Sequence, residues 1–112
     1  MFGLGSGVGQ SDVEAARWVK KAAEQGHIDA QAKLGEMFGL GRGVAQSDVE
    51  AARWVKKAAE QGHIDAQAKL GEMFGLGRGV AQNDVEAARW VKKSAEQGHI
   101  DAQAKYWERC LD

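Results

Sequence analysis

The sequence predicts an all-α fold, a solenoid of 36-residue antiparallel helix pairs with six helices in order. Three observations point to it. The text repeats with a period of 36 residues, so Trp18, Trp54 and Trp90 stand one period apart, as do His27, His63 and His99. Within each period apolar residues return at about 100° per residue, the angle of an α-helix. No segment alternates apolar and polar residues over a useful length, so no strand is expected. A fixed period of this size marks supersecondary units that cannot bury an apolar face alone and therefore stack.

The elements follow in order. Met1 aligns with Met37, so the sequence opens in the last turn of a helix whose body is missing, and Gly3-Leu4-Gly5-Ser6-Gly7-Val8-Gly9 reads as a loop. The first helix is expected over about 11–25, with Ser11 and Glu14 in capping-box positions. The second spans about 29–39, with Leu34 and Phe38 on its inner side, and the Gly-rich stretch 39–43 ends it. The third runs over about 47–61. Ser47 caps it through its hydroxyl while Glu50 reaches back to the Ser47 backbone. Ala51, Ala52, Val55, Ala58 and Ala59 fall on one face, Trp54 at its edge, and Glu50, Arg53, Lys57 and Glu60 opposite. Gly62 stops this helix as glycine does after a C-cap. The turn Gly62-His63-Ile64 is short enough to force an antiparallel neighbour over about 65–75, with Ala66, Leu70 and Phe74 inward. The third copy repeats the pattern at about 83–97, where Asn83 replaces Ser47, and at 101–111. The other differences between copies are Ser6 against Arg42 and Arg78, Gly9 against Ala45 and Ala81, and Ala58 against Ser94. Copies this similar mean recent duplication or deliberate design. The organisation is a single domain: a partial repeat 1–28, repeats 29–64 and 65–100, and a capping helix 101–112.

Composition narrows the function classes. The 112 residues are 44% hydrophobic and 28% charged, which suits a globular domain rather than a disordered one. Absence of proline excludes collagen, and the lone Cys110 excludes a disulfide scaffold. A net charge of -1 gives no broad attraction for nucleic acid. No stretch approaches the roughly 20 apolar residues of a membrane span. The N-terminus lacks the basic start and apolar run of a signal peptide, so a cytoplasmic setting is expected.

Leu34-Gly35, Phe38, Gly41-x-Gly43-Val44, Asp48, Ala51-Ala52, Trp54, Ala58-Ala59, Gly62 and the position of Ala30 together resemble the Sel-one-like repeat family, a relative of the tetratricopeptide repeat. The match covers essentially the whole chain. The resemblance implies a right-handed superhelix that acts as an adaptor for other proteins. Some secreted members carry cross-linking cysteines in each repeat; this chain has none there. The two ends depart from the pattern. Tyr106-Trp107 replaces the Leu-Gly of the earlier copies. Glycine there lets the next helix approach, and Trp107 would collide with a following repeat, so it reads as the covered end of the stack. At the other end the helix from Ser11 is left with Ala15, Ala16 and Val19 short of a partner.

No catalytic constellation is visible. The glycines at 3–9 do not fit G-x-G-x-x-G and no strand precedes them. One histidine per repeat cannot converge on one metal ion with bonds near ~2 Å; His27, His63 and His99 are expected beside helix C-terminal carbonyls. Cys110 has no neighbouring histidine. Lys20-Lys21, Lys56-Lys57 and Lys92-Lys93 are interspersed with acids and read as a solvated face. The tryptophans read as inter-repeat packing rather than a base-stacking row. Charged side chains are expected along ridges, not gathered in one pocket. No enzyme activity, metal or cofactor is therefore expected, and no nucleic-acid or membrane partner.

One face remains for binding. On a helical wheel Asp29, Lys33, Glu36 and Leu40 lie together, opposite Leu34 and Phe38, and the set recurs as Asp65, Lys69, Glu72 and Leu76, then as Asp101, Lys105 and Glu108. The family resemblance makes this the concave face. Asp29 with Lys33 is also an i,i+4 pair that satisfies itself at the surface. The expected function is a protein-interaction scaffold whose concave face takes a peptide or protein, extended or repetitive in form. The alternative is self-association as a homodimer through the uncapped N-terminal face, Phe2, Leu4, Ala15, Ala16 and Val19. A variant of it is an engineered or fragmentary repeat chain with no ligand of its own.

Overall fold

A computed structural model describes residues 4–98, with side chains from residue 11 onward. Among them are five helices and no strand: α1 (Leu4–Glu24), α2 (Ile28–Leu40), α3 (Asp48–Glu60), α4 (Ile64–Leu76) and α5 (Asp84–Glu96). Helices α2 to α5 begin and end within one residue of the spans expected from periodicity. The helix expected at 101–111, with Asp101, Lys105, Glu108 and the Trp107 cap, lies outside the described residues.

Packing runs in chain order, α1 on α2, α2 on α3, α3 on α4 and α4 on α5. Ala51, Ala52, Val55, Ala58 and Ala59 of α3 are all buried, joined by Ala66, Leu70 and Met73 of α4. Alanines on the α3 face let neighbouring backbones close in on Leu34 and Leu70, both wholly buried. Buried Gln31 Nε2 donates to the Ala23 carbonyl at 3.2 Å and Gln67 Nε2 to the Ala59 carbonyl at 3.1 Å. Each glutamine thereby adds a side-chain donor to a helix-end carbonyl that also accepts from a glycine amide, Gly26 N–H at 3.0 Å and Gly62 N–H at 3.1 Å. Gln61 adds a second strut, Nε2 donating to Gln31 Oε1 at 2.6 Å.

The caps are made in half. Ser47 Oγ accepts from the Glu50 amide at 3.2 Å and Asn83 Oδ1 from the Glu86 amide at 3.1 Å. The reciprocal carboxylate bonds are replaced by surface pairs, Glu50 with Arg53 at 2.9 Å and Glu86 with Arg89 at 2.8 Å. A charged donor three residues on outcompetes a neutral backbone amide for these acids.

The largest departure is at the start. The Gly-rich stretch expected as a loop is helical from Leu4, and Ser11 lies inside α1 instead of capping it. The reason lies in what holds the corresponding turn in the next copy. Gly43, at φ +76°, sits so close to α1 that a Cβ there would run into the Asp12 carbonyl oxygen. Arg42 pairs with Asp12 at 3.7 Å, Ser47 N–H donates to the Phe38 carbonyl at 2.9 Å, and Gln46 Nε2 to the Gly39 carbonyl at 3.4 Å. The same clamp recurs one period later, with Gly79 against Asp48 and Arg78 paired to it at 3.7 Å. The segment around Gly7 is held by helical i→i−4 hydrogen bonds instead.

Candidate functional site

Helices α2 and α4 stand on either side of α3 and leave a groove of about 470 Å³ between them. Ala51 and Val55 of α3 floor it, Ala32, Gly35, Gly39 and Leu40 line the α2 side, and Ala66 and Met73 the α4 side. Gly35 makes this floor possible, because a Cβ there would come within 2.7 Å of Val55 Cγ2 and 3.2 Å of the Ala51 carbonyl oxygen. The expectation that Leu-Gly marks a close helix approach is met in the geometry.

Charged groups gather round this apolar floor: Glu36, Asp48, Asp65, Lys69, Glu72 and Arg78, with His63. They come from different repeats and share one groove, contrary to the expected distribution along separate ridges. The antiparallel pairing causes this, since it returns the same face of α2 and α4 to the same side of α3. The lining holds no hydroxyl or thiol.

The expected groove residues divide. Glu36, Leu40, Asp65, Lys69 and Glu72 line the groove. Asp29, Lys33 and Leu76 are exposed but lie outside its lining. The expected Asp29–Lys33 pair is not the one formed: Lys33 pairs with Glu36 at 3.1 Å, and Lys69 with Glu72 at 3.1 Å. Asp29 instead meets His63 Nε2 at 3.4 Å. The i,i+3 partner and a partner at the far end of the same repeat divide the two ends of the expected i,i+4 pair.

His63 also corrects an expectation. Its backbone N–H does serve the end of α3, donating to the Ala58 carbonyl at 3.1 Å. Its ring does the opposite job. Nδ1 accepts from the Ala66 amide at 3.0 Å, so His63 caps the N-terminus of α4. With Nδ1 an acceptor, the proton of the neutral ring sits on Nε2, the atom 3.4 Å from Asp29. His63 thus ties the start of α2 to the start of α4 at the groove edge. His27 occupies the same place before α2, is exposed, and makes no side-chain cap bond. His99 lies outside the described residues, and among the described residues no group of three or more His, Cys, Asp or Glu side chains could hold a metal ion.

The tryptophans, expected to pack between repeats, divide. Trp90 on α5 lies against the core built by α3 and α4, and Trp54 is half-buried. Trp18, with no helix before it in the described residues, is 65% exposed. The second lysine of each Lys-Lys pair sits over the neighbouring indole: Lys21, Lys57 and Lys93 lie 5.4, 5.1 and 5.4 Å from the ring centres. Such cation–π contacts contribute about 0.5–1 kcal/mol at exposed sites.

The N-terminal set also divides. Ala15 is exposed and Val19 half-buried, whereas Ala16 is buried beneath the Gly43 turn of the next repeat and belongs to no free face. Phe2 lies outside the described residues, and Leu4 is the first residue of α1.

The profile of the Sel1 repeat matches residues 1–27, 28–63 and 64–99. The chain belongs to the Sel1-repeat family. Solved structures of other Sel1-type proteins are similar to it. A Sel1 repeat protein from Oxalobacter formigenes shares 39% identity at a TM-score of 0.80, over 82% of this chain and 27% of that one. The protective antigen c5321 of uropathogenic Escherichia coli, described as displaying an SLR fold, shares 38% identity at a TM-score of 0.80, over 84% of this chain and 21% of its own. Helicobacter pylori cysteine rich protein B shares 25% identity at a TM-score of 0.77, over 81% of this chain and 68% of its own. This Sel1-repeat chain therefore spans only about a quarter of the first two proteins, and it carries one cysteine. No curated protein sequence matches it significantly. Among the described residues no helix of this Sel1-repeat chain is long and apolar enough to cross a membrane.

Proposed function

We propose that this Sel1-repeat chain is a non-enzymatic protein-interaction module whose groove between α2 and α4 takes an extended segment of a protein or peptide. Membership of the Sel1-repeat family supports an interaction module. The observation that carries the groove is its construction: an apolar strip of Gly35, Ala51, Val55 and Met73 between walls bearing Glu36, Lys69 and Glu72. The floor of the groove is itself nearly covered, so a peptide lying there meets mainly the walls, Glu36, Lys69 and Glu72, and Leu40. The wall charges are already paired at 3.1 Å and are about half exposed, so their mutual attraction is weak and they exchange partners at little cost. Leu40 stands 61% exposed at the mouth and offers an apolar contact to a ligand that leaves the groove. Repetition of the facet favours an extended ligand, through effective concentration rather than tight single contacts.

The test is a display selection for peptides that bind the immobilised chain, followed by Lys69→Glu and Leu40→Ser. Groove binders are expected to lose about tenfold in affinity in each variant, one rim contact being worth roughly 1.4 kcal/mol. The helical circular dichroism should stay unchanged. Selected peptides that bind both variants as tightly as the parent chain would rule the groove out.

A further inference from the structure

The Lys-Lys pairs of α1, α3 and α5 stand apart from every other lysine and arginine among the described residues. Each described arginine has a carboxylate within 3.7 Å, and Lys33 and Lys69 have one at 3.1 Å. Lys20-Lys21, Lys56-Lys57 and Lys92-Lys93 are all exposed and have no carboxylate partner among the described residues. The second lysine of each pair is accounted for by the fold. It lies in the last turn of its helix, where a cation favours the dipole, and over the indole of that helix. Lys20, Lys56 and Lys92 have neither contact.

These groups form a row. The Gln31–Ala23 bond recurs as Gln67–Ala59 and the Arg42–Asp12 pair as Arg78–Asp48, so one step carries each repeat onto the next. Equivalent lysines therefore line up along one side of the stack. At about 100° per residue Lys56 and Lys57 fall on the side of α3 away from Ala51 and Val55, and neither lines the groove. The arginine beside each pair is neutralised within its own helix, by Glu14, Glu50 or Glu86. One further exposed acid, Glu24, Glu60 or Glu96, stands a turn beyond the lysines. Each repeat thus offers two ammonium groups and one carboxylate on this side.

We propose that this row is a second interaction surface and that its ligand is an extended acidic segment of a protein, with carboxylates spaced between uncharged residues. Three features select that chemistry. Ammonium groups are point charges that take a carboxylate from many directions, so they suit a segment of no fixed geometry. The recurring glutamate repels a polymer charged at every unit, such as nucleic acid, and tolerates acids that are spaced. Each exposed pair is weak, so attraction builds only when one ligand meets several repeats.

The probe is a fluorescein-labelled peptide of about 20 residues, alternating Glu and Ser and roughly 66 Å long when extended. It is titrated into the full chain and followed by anisotropy. Binding is expected at low salt and should weaken as salt is raised, because exposed charges are screened. Lys20→Gln, Lys56→Gln and Lys92→Gln combined should weaken it about tenfold or more. Glutamine keeps the helix propensity of lysine, so the helical signal should hold. Lys56→Gln alone should weaken binding about threefold. Lys33→Gln, which removes the same charge outside the row, should leave it unchanged. Equal losses from Lys33→Gln and Lys56→Gln would overturn the row, since net charge alone would then account for binding. Absence of binding at low salt would overturn it as well. So would a single-stranded oligonucleotide, or vesicles containing phosphatidylserine, that bound more tightly than the peptide and lost as much in the triple variant. The ligand would then be a nucleic acid or an anionic membrane.

Discussion

Helices α1 and α3 carry almost the same residues at corresponding positions and hold them in different surroundings. Val55 is buried where Val19 is half-exposed, and Ser47 caps where Ser11 lies inside a helix. His63 bridges to Asp29 where His27 makes no cap bond, and Gly43 turns where Gly7 continues a helix. The residues are shared, so the difference belongs to the neighbours. In a solenoid each interface is a property of two adjacent units, so the same residues take the structure their neighbours allow.

Paired substitutions, followed by chemical denaturation at constant m value, break or sharpen this comparison. The largest effect is a control in which the surroundings match. Leu34→Ala and Leu70→Ala should each cost about 2–5 kcal/mol, because both side chains are wholly buried. A large inequality between them would mean that the repeats differ in more than their neighbours. Next comes a change of sign. Gly43→Ala should cost roughly 2–4 kcal/mol, from its positive φ and its collision with Asp12, while Gly7→Ala inside α1 should stabilise by about 0.5–1 kcal/mol. If Gly7→Ala destabilises, residues 4–10 form the same turn as Gly43 after all. Val55→Ala should then cost about 1.5–2.5 kcal/mol and Val19→Ala less than about 1 kcal/mol. Equal losses would mean that α1 is already covered in solution. The smallest pair concerns caps. Ser47→Ala should cost about 1 kcal/mol, and Ser11→Ala should gain a few tenths from better helix propensity.

The same contrast explains what was legible in the sequence. Helices α2 to α5 were, because apolar spacing, the capping serine and the closing glycines all lie within the segment they govern. The start of α1 was not. Its glycine-rich text is nearly that of the later turns, and what bends those turns is Asp12 and Asp48, each on a helix of the preceding repeat. A local pattern carries no record of the neighbour a turn packs against. The groove was half legible for a related reason. A helical wheel places Glu36, Leu40, Lys69 and Glu72 on one face, but it treats each helix alone. It therefore missed the α3 floor, Ala51 and Val55, and the pairing of Asp29 with His63. One signal was available for His63. It stands at the N-cap position of the following helix, where a ring nitrogen can do what Ser47 Oγ does before α3.

The glutamine struts have a consequence for how such a chain changes length. Gln31 reaches Ala23 as Gln67 reaches Ala59, and Arg42 reaches Asp12 as Arg78 reaches Asp48. Every one of these bonds joins a residue to a partner whose equivalent exists one period away. Excising residues 28–63 would present Gln67 to Ala23 and Arg78 to Asp12, and the seam would close with the bonds it had before. Slippage or unequal crossing-over in the gene can therefore add or remove whole units without any compensating substitution, so reach along a partner can evolve in steps of one repeat.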